Sequence, residues 1–160
     1  MPPLEEAACK AAIKARQYVR TSSHDIYPWL HIRKCEDVIE EVISAWLQDR
    51  TNLDRVTEQT RLRFEENPLN NVAEKYAIVW TQNWGKVERP FPGKHIVIIA
   101  LDHLGADNGL PFSKDKDGNT VTHLNCGEFL VVSGDDTMIL GNKGGGISLF
   151  IILNLSEHEA

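Results

Sequence analysis

The chain has 160 residues, of which 42% are hydrophobic and 25% charged; 23 acidic and 17 basic side chains leave a formal net charge of -6. That length suits a single domain burying roughly 68–70% of its unfolded surface. Acids exceed bases in both halves and no lysine or arginine cluster occurs, so nucleic acid and anionic membrane are excluded as expected partners.

Residues 5–20 read as a helix. Leu4, Ala8, Ala12, Ala15 and Val19 fall near one face, with acids early and bases late, matching both the helical period and the helix dipole. "TSSHDIYPWLH" then breaks the pattern, because Ser and Asp favour turns and Pro28 restricts Tyr27 to an extended shape. The clearest helix spans residues 36–49. Val38, Ile39, Val42, Ile43, Trp46 and Leu47 form its apolar stripe, and Glu36, Asp37, Glu40 and Glu41 its wet face. Thr51 and Asn52 are the expected caps of a further helix. Its stripe is Leu53, Val56, Thr60 and Phe64, and Pro68 sets its limit.

From about Tyr76 the chain changes to β-formers. "KYAIVWT", "HIVIIAL", "TVTHL", "EFLVV", "TMIL" and "ISLFIIL" are strand segments. "HIVIIAL" is apolar without interruption, as a strand covered on both faces must be. Asp117-Gly118 is a hairpin signal. "SGDD" and "GNKGGG" are too short for a crossover, so they join antiparallel neighbours. The expectation is a single α+β domain over residues 1–160. A helical layer (about 4–66) packs on a mostly antiparallel, curved sheet (about 72–155).

"VVSGDDTMIL" resembles the hairpin of viral RNA-dependent RNA polymerases, in which a GDD turn between apolar strands holds magnesium. The resemblance implies Asp102, Asp135 and Asp136 as ligands for two-metal phosphoryl transfer. Asp102 and Asp107 echo that family's D-x4-D spacing, and Gly118, Thr122 and Asn125 its middle motif. However, hairpin chemistry fills the space between Asp107 and Gly134 where those enzymes place a helix, and the chain is several times too short for them. Gly134-Asp135-Asp136 therefore reads as a reverse turn. "GNKGG" before an apolar strand resembles a motif of the inositol polyphosphate 5-phosphatases, which implies a phosphate cradle at Lys143. That family's acid-rich motifs have no counterpart here, so a hairpin loop is the preferred reading. "DKDGN" spaces Asp115, Asp117 and Asn119 as calcium loops do, but Thr120 and Cys126 stand where an EF-hand needs Gly and Glu.

Cys9, Cys35 and Cys126 are odd in number and without a CxxC, which fits thiols in a reducing compartment and a cytoplasmic protein. No run is long enough to span a bilayer. The six histidines show no paired metal spacing. Asp102 and His103 close one strand segment, and His123 shares the parity of Val121 and Asn125 on another. Asp102, His103 and His123 are the acid–base candidates, and Tyr76, Trp80, Trp84 and Phe112 the ligand-binding ones.

A helical part followed by an antiparallel sheet is similar in outline to the cone-shaped folds related to nuclear transport factor 2, which host isomerases, dehydratases and binding modules. The expected function is a small pocket protein that binds or transforms a small organic ligand by proton transfer, without metal or cofactor. The alternative is a non-catalytic interaction module, a homodimer or adaptor subunit, that pairs through "ISLFIIL" if that strand is an edge.

Overall fold

A computed structural model of the chain describes residues 4, 6–11, 29–32, 36–80, 85–87, 91–101, 103–105, 121, 123–136, 138–140 and 147–157. Within these, helix α1 (6–11) is followed by strand β1 (Trp29–Ile32), α2 (Glu36–Gln48), α3 (Arg50–Thr60) and the short β2 (Leu62–Arg63). A 3-10 turn (Pro68–Asn71) leads into β3 (Val72–Trp80). Then come β4 (Gly85–Val87), β5 (His95–Ala100), β6 (Leu104–Gly105), β7 (His123–Leu124), β8 (Phe129–Ser133), β9 (Met138–Leu140), β10 (Ile147–Leu153) and β11 (Ser156–Glu157). The fold is α+β: helices N-terminal, an antiparallel sheet C-terminal.

The main sheet has the order β1-β3-β10-β5-β8, antiparallel throughout. Strand alternation divides its side chains between two cores. Val97, Ile99 and Leu101, with Ile147, Leu149, Ile151 and Leu153, face a core shared with the helices. There they meet Ala7, Ala8, Val42, Ile43, Trp46, Leu53 and Val56. Ile96, Ile98 and Ala100, with Leu130, Phe150 and Ile152, face a second core closed by Leu104 and Leu124, with Tyr76 and Phe91 packed against it. "HIVIIAL" is thus covered on both faces, as its unbroken apolar character required. Glu40 of α2 pairs with Lys75 of β3 and Glu41 with Lys10 of α1 (3.1 Å), placing the helices over the sheet.

Several elements differ from the sequence expectation. The segment read as an irregular connection contains β1, because Trp29–Ile32 gains a ladder with residues 77–80 that only the tertiary structure supplies. Asp49, not Thr51 or Asn52, caps α3 by accepting from the Thr51 N–H (3.0 Å). Asn52 is instead buried, and its Nδ2 donates to the Trp46 carbonyl (3.1 Å). Helix α3 also stops at Thr60, well short of Pro68. Thr60 Oγ1 donates to the Val56 carbonyl (2.8 Å) and accepts from the Leu62 N–H (3.1 Å), and Arg61 takes a left-handed conformation (φ 63°). Leu62–Arg63 then pairs with Ser156–Glu157.

Strands β8, β9 and β10 are not neighbours. β9 leaves the main sheet to pair with β4. β10 inserts between β3 and β5, and β8 takes the edge beyond β5. "ISLFIIL" is therefore central and paired on both sides, which removes it as a pairing surface. Among the described residues no helix is long and apolar enough to cross a membrane.

Candidate functional site

The first candidate segment, Gly134-Asp135-Asp136, serves a structural purpose. Phe91–Lys94 is a type II turn: Pro92 presets the second position, Gly93 supplies φ 76° at the third, and the Lys94 N–H donates to the Phe91 carbonyl (3.1 Å). The tight turn Ser133–Asp136 docks on it. Gly134 donates to the Lys94 carbonyl (2.8 Å) and accepts from the Phe91 N–H (3.1 Å), and Asp135 Oδ1 accepts from the Gly93 N–H (3.2 Å). A Cβ at Gly134 would lie 1.9 Å from the Phe91 carbonyl oxygen, so only glycine fits this approach. His95 starts the adjacent strand. Burial lowers its pKa below the ordinary value of 6.5, and the charges of Asp135 and Asp136 oppose that shift. Lys143 and residues 115–119 lie outside the described residues.

Two of the acid–base candidates, His103 and His123, come together at the opposite end of β5. Strand β5 ends at Ala100, and the chain turns into the small β6–β7 ladder, where Leu104 pairs with Leu124 and Gly105 with His123. Leu104 and Leu124 bury into the second core. The alternation that sends them inward leaves His103 and His123 exposed. Their rings stack, with centroids 6.0 Å apart and planes at 27°.

Asn125 sets the orientation of one ring. Its Oδ1 lies 3.2 Å from His103 Nδ1. In the ring form that carries a proton on Nδ1, that nitrogen donates to the amide oxygen. Asn125 is itself held by a type II turn over residues 125–128, with Gly127 at φ 88°. The Glu128 N–H donates to the Asn125 carbonyl (2.9 Å), and the Asn125 N–H donates to Glu128 Oε1 (2.7 Å). Three bonds fasten this turn to the end of β5. Gly127 N–H donates to the Ala100 carbonyl (2.8 Å), Ala100 N–H to the Glu128 carbonyl (2.9 Å), and Cys126 Sγ to the Leu101 carbonyl (3.1 Å).

Of the seven residues singled out from sequence, the structure thus joins His103 and His123. Asp102, Trp84 and Phe112 lie outside the described residues, and Trp80 is placed by its backbone alone, paired with Trp29 at the end of β3. Tyr76 stacks on Phe91 (6.2 Å, 22°) against the second core. Val121 packs against the second core rather than sharing the exposed position of His123. Asn125 and the turn that holds it were missed. Their signal, Asn-Cys-Gly-Glu with Gly at the third turn position, is present in the sequence.

Among the described residues no three His, Cys, Asp or Glu side chains converge on one point. An open cleft of about 680 Å³ lies elsewhere, lined by Glu65, Glu66, Asn67 and Asn70. No family model, curated protein or solved structure matches the chain.

Proposed function

We propose that this chain binds or transforms a small organic ligand by proton transfer at the His103–His123 pair. The observation that carries the reading is the Asn125 contact. It places the amide oxygen against Nδ1 of an exposed imidazole that stacks on a second one. In this reading His103 Nε2 takes the proton and His123 returns one, which serves isomerisation, dehydration or cyclisation without a cofactor. The test works whatever the substrate is. A library of small carbonyl and hydroxy compounds is incubated with the protein in deuterated water, and carbon-bound deuterium is read by NMR. Exchange into one chemical class is expected. His103→Ala and His123→Ala should each slow it by about 10²–10⁴-fold. No exchange, or exchange indifferent to both variants, overturns the reading.

The alternative, a protein-interaction module, is favoured by a different feature. Leu69 is 54% exposed on the turn before β3, beside the acidic cleft of Glu65 and Glu66. Concentration-dependent sedimentation that disappears in Leu69→Ser supports self-association through this turn. A monomer at every concentration removes the homodimer.

A further inference from the structure

We infer that the side chain of Gln59 latches the edge of the main sheet, and that without this latch β8 pairs antiparallel with the β8 of a second copy of the chain. The inference is independent of the histidine pair and of Leu69. The sheet order ends at β8, which among the described residues has a neighbouring strand, β5, on one side only. Register fixes what the other side offers. The Gly134 N–H donates to the Lys94 carbonyl and the Ala100 N–H to the Glu128 carbonyl. Alternation between those two ends makes Ile96–Val132 and Ile98–Leu130 the hydrogen-bonded pairs of the ladder. Phe129, Val131 and Ser133 therefore aim their main-chain N–H and C=O groups away from β5. The turn after β8 takes one of these groups, since the Ser133 carbonyl accepts from the Asp136 N–H (3.1 Å). Helix α3 takes another: Gln59 Nε2 donates to the Val131 carbonyl (2.9 Å). One turn earlier in α3, the Arg55 guanidinium lies 4.3 Å from the centre of the Phe129 ring. The two side chains thus run along the strand, as the cover of an edge does.

A second copy is the occupant that the strand itself specifies. "FLVVS" contains no charge, proline or glycine, the composition that lets an edge pair with its own kind. A two-fold axis at Val131 sets that residue opposite its counterpart, and Phe129 opposite Ser133 of the second copy. No charge faces a like charge in that register. The side chains of Phe129 and Val131 already lie in the helix-side core, so the pairing uses main chain alone. Its two central hydrogen bonds need the Val131 carbonyl, which is the group that Gln59 holds. Latch and second copy compete for one acceptor.

The experiment compares the full chain with Gln59→Ala and Gln59→Glu by sedimentation over a concentration series, together with amide hydrogen exchange. Gln59 is exposed, so both variants should keep the fold. In the unaltered chain the Val131 amide should exchange faster than those of Leu130 and Val132, which bond to β5. Gln59→Ala should rise with concentration from 18.0 kDa towards twice that mass. Its Val131 amide should then exchange at least about tenfold more slowly than in the monomer. Gln59→Glu should stay monomeric, because it sets two carboxylates against each other near the two-fold axis. Adding Leu69→Ser to Gln59→Ala should leave the dimer intact. A Gln59→Ala chain that is monomeric at every concentration overturns the inference, as does a dimer whose Val131 amide exchanges as fast as the monomer's. Equal association of the unaltered chain or of Gln59→Glu removes the latch, and loss of the dimer with Leu69→Ser places the contact elsewhere. A Val131 amide as protected as its two neighbours in the unaltered chain would show that the edge is closed, which overturns the inference without any variant.

Discussion

The two faces of the main sheet are both apolar, but they are closed in different ways. On one face, α2 and α3 lay periodic stripes over Val97, Ile99, Leu149 and Ile151. On the other, Ile96, Ile98, Phe150 and Ile152 are covered by pieces: the β6–β7 ladder through Leu104 and Leu124, and Phe91 from a turn. A helix closes a face with continuous backbone and leaves little room for an exposed site. A short ladder and turns leave side chains of alternate residues in solvent while their neighbours anchor the chain. That arrangement is the familiar one of functional groups carried by loops on a rigid sheet. The histidine pair sits on the second kind of cover, and its position depends on a core made of few, non-local pieces.

Substitutions on the two faces separate these roles. Phe150→Ala and Ile43→Ala each empty a fully buried position, one on each face. Losses of about 3–5 kcal/mol and 2–5 kcal/mol are expected by denaturant unfolding. Phe150→Ala should also move the ring signals of His103 and His123, because Leu104 and Leu124 share its core, whereas Ile43→Ala should leave them in place. Equal disturbance by both would mean that the ladder is not held by the second core. Gly134→Ala comes next. Its Cβ meets backbone rather than a movable side chain, so the Phe91–Lys94 and Ser133–Asp136 turns must part, at about 1–3 kcal/mol. A neutral result by thermal unfolding would show that the docking of the two turns contributes nothing.

The same contrast decides what could be read from residues alone. Helix α2 was legible because Val38, Val42, Trp46 and their neighbours repeat at the helical period, and β5 because nothing polar interrupts it. Both patterns are local. The place of β10 was not legible. Short links predicted that β8, β9 and β10 would be adjacent, but β10 gains two partners, β3 and β5, by lying in the middle. Local turn chemistry cannot weigh that gain. Strand β1 was missed for a related reason, since its order comes from residues about 50 positions away in the ladder. For the site, the two histidines were identifiable as chemistry, yet their meeting depends on the Leu104–Leu124 register. Asn125 was passed over because its importance lies in the direction that a glycine turn gives its amide.

The smallest expected effect concerns the histidine that the second cover does not carry. His95 starts β5 next to the Ser133–Asp136 turn, where burial holds its pKa below 6.5 and Asp135 and Asp136 pull it back up. The unfolded chain therefore binds a proton at a higher pH than the folded one does. Above about 6.5 the ring is neutral in both states and makes no difference to stability; as pH falls below that value the unfolded state gains its proton first, and stability drops until the folded pKa is passed. His95→Gln should remove this contribution to the acid slope measured by denaturant unfolding. Asp136→Asn should steepen it, because one of the two charges that favour the protonated ring is lost. If His95→Gln instead steepened the acid slope, the folded ring would hold its proton more tightly than the unfolded one, and the sign of the His95 shift would be reversed. Ring signals of His103 and His123 provide the control. Their ladder lies at the other end of β5, so their ring chemical shifts at a fixed pH should be the same in both variants, and a change there would show that the two ends of the strand are coupled.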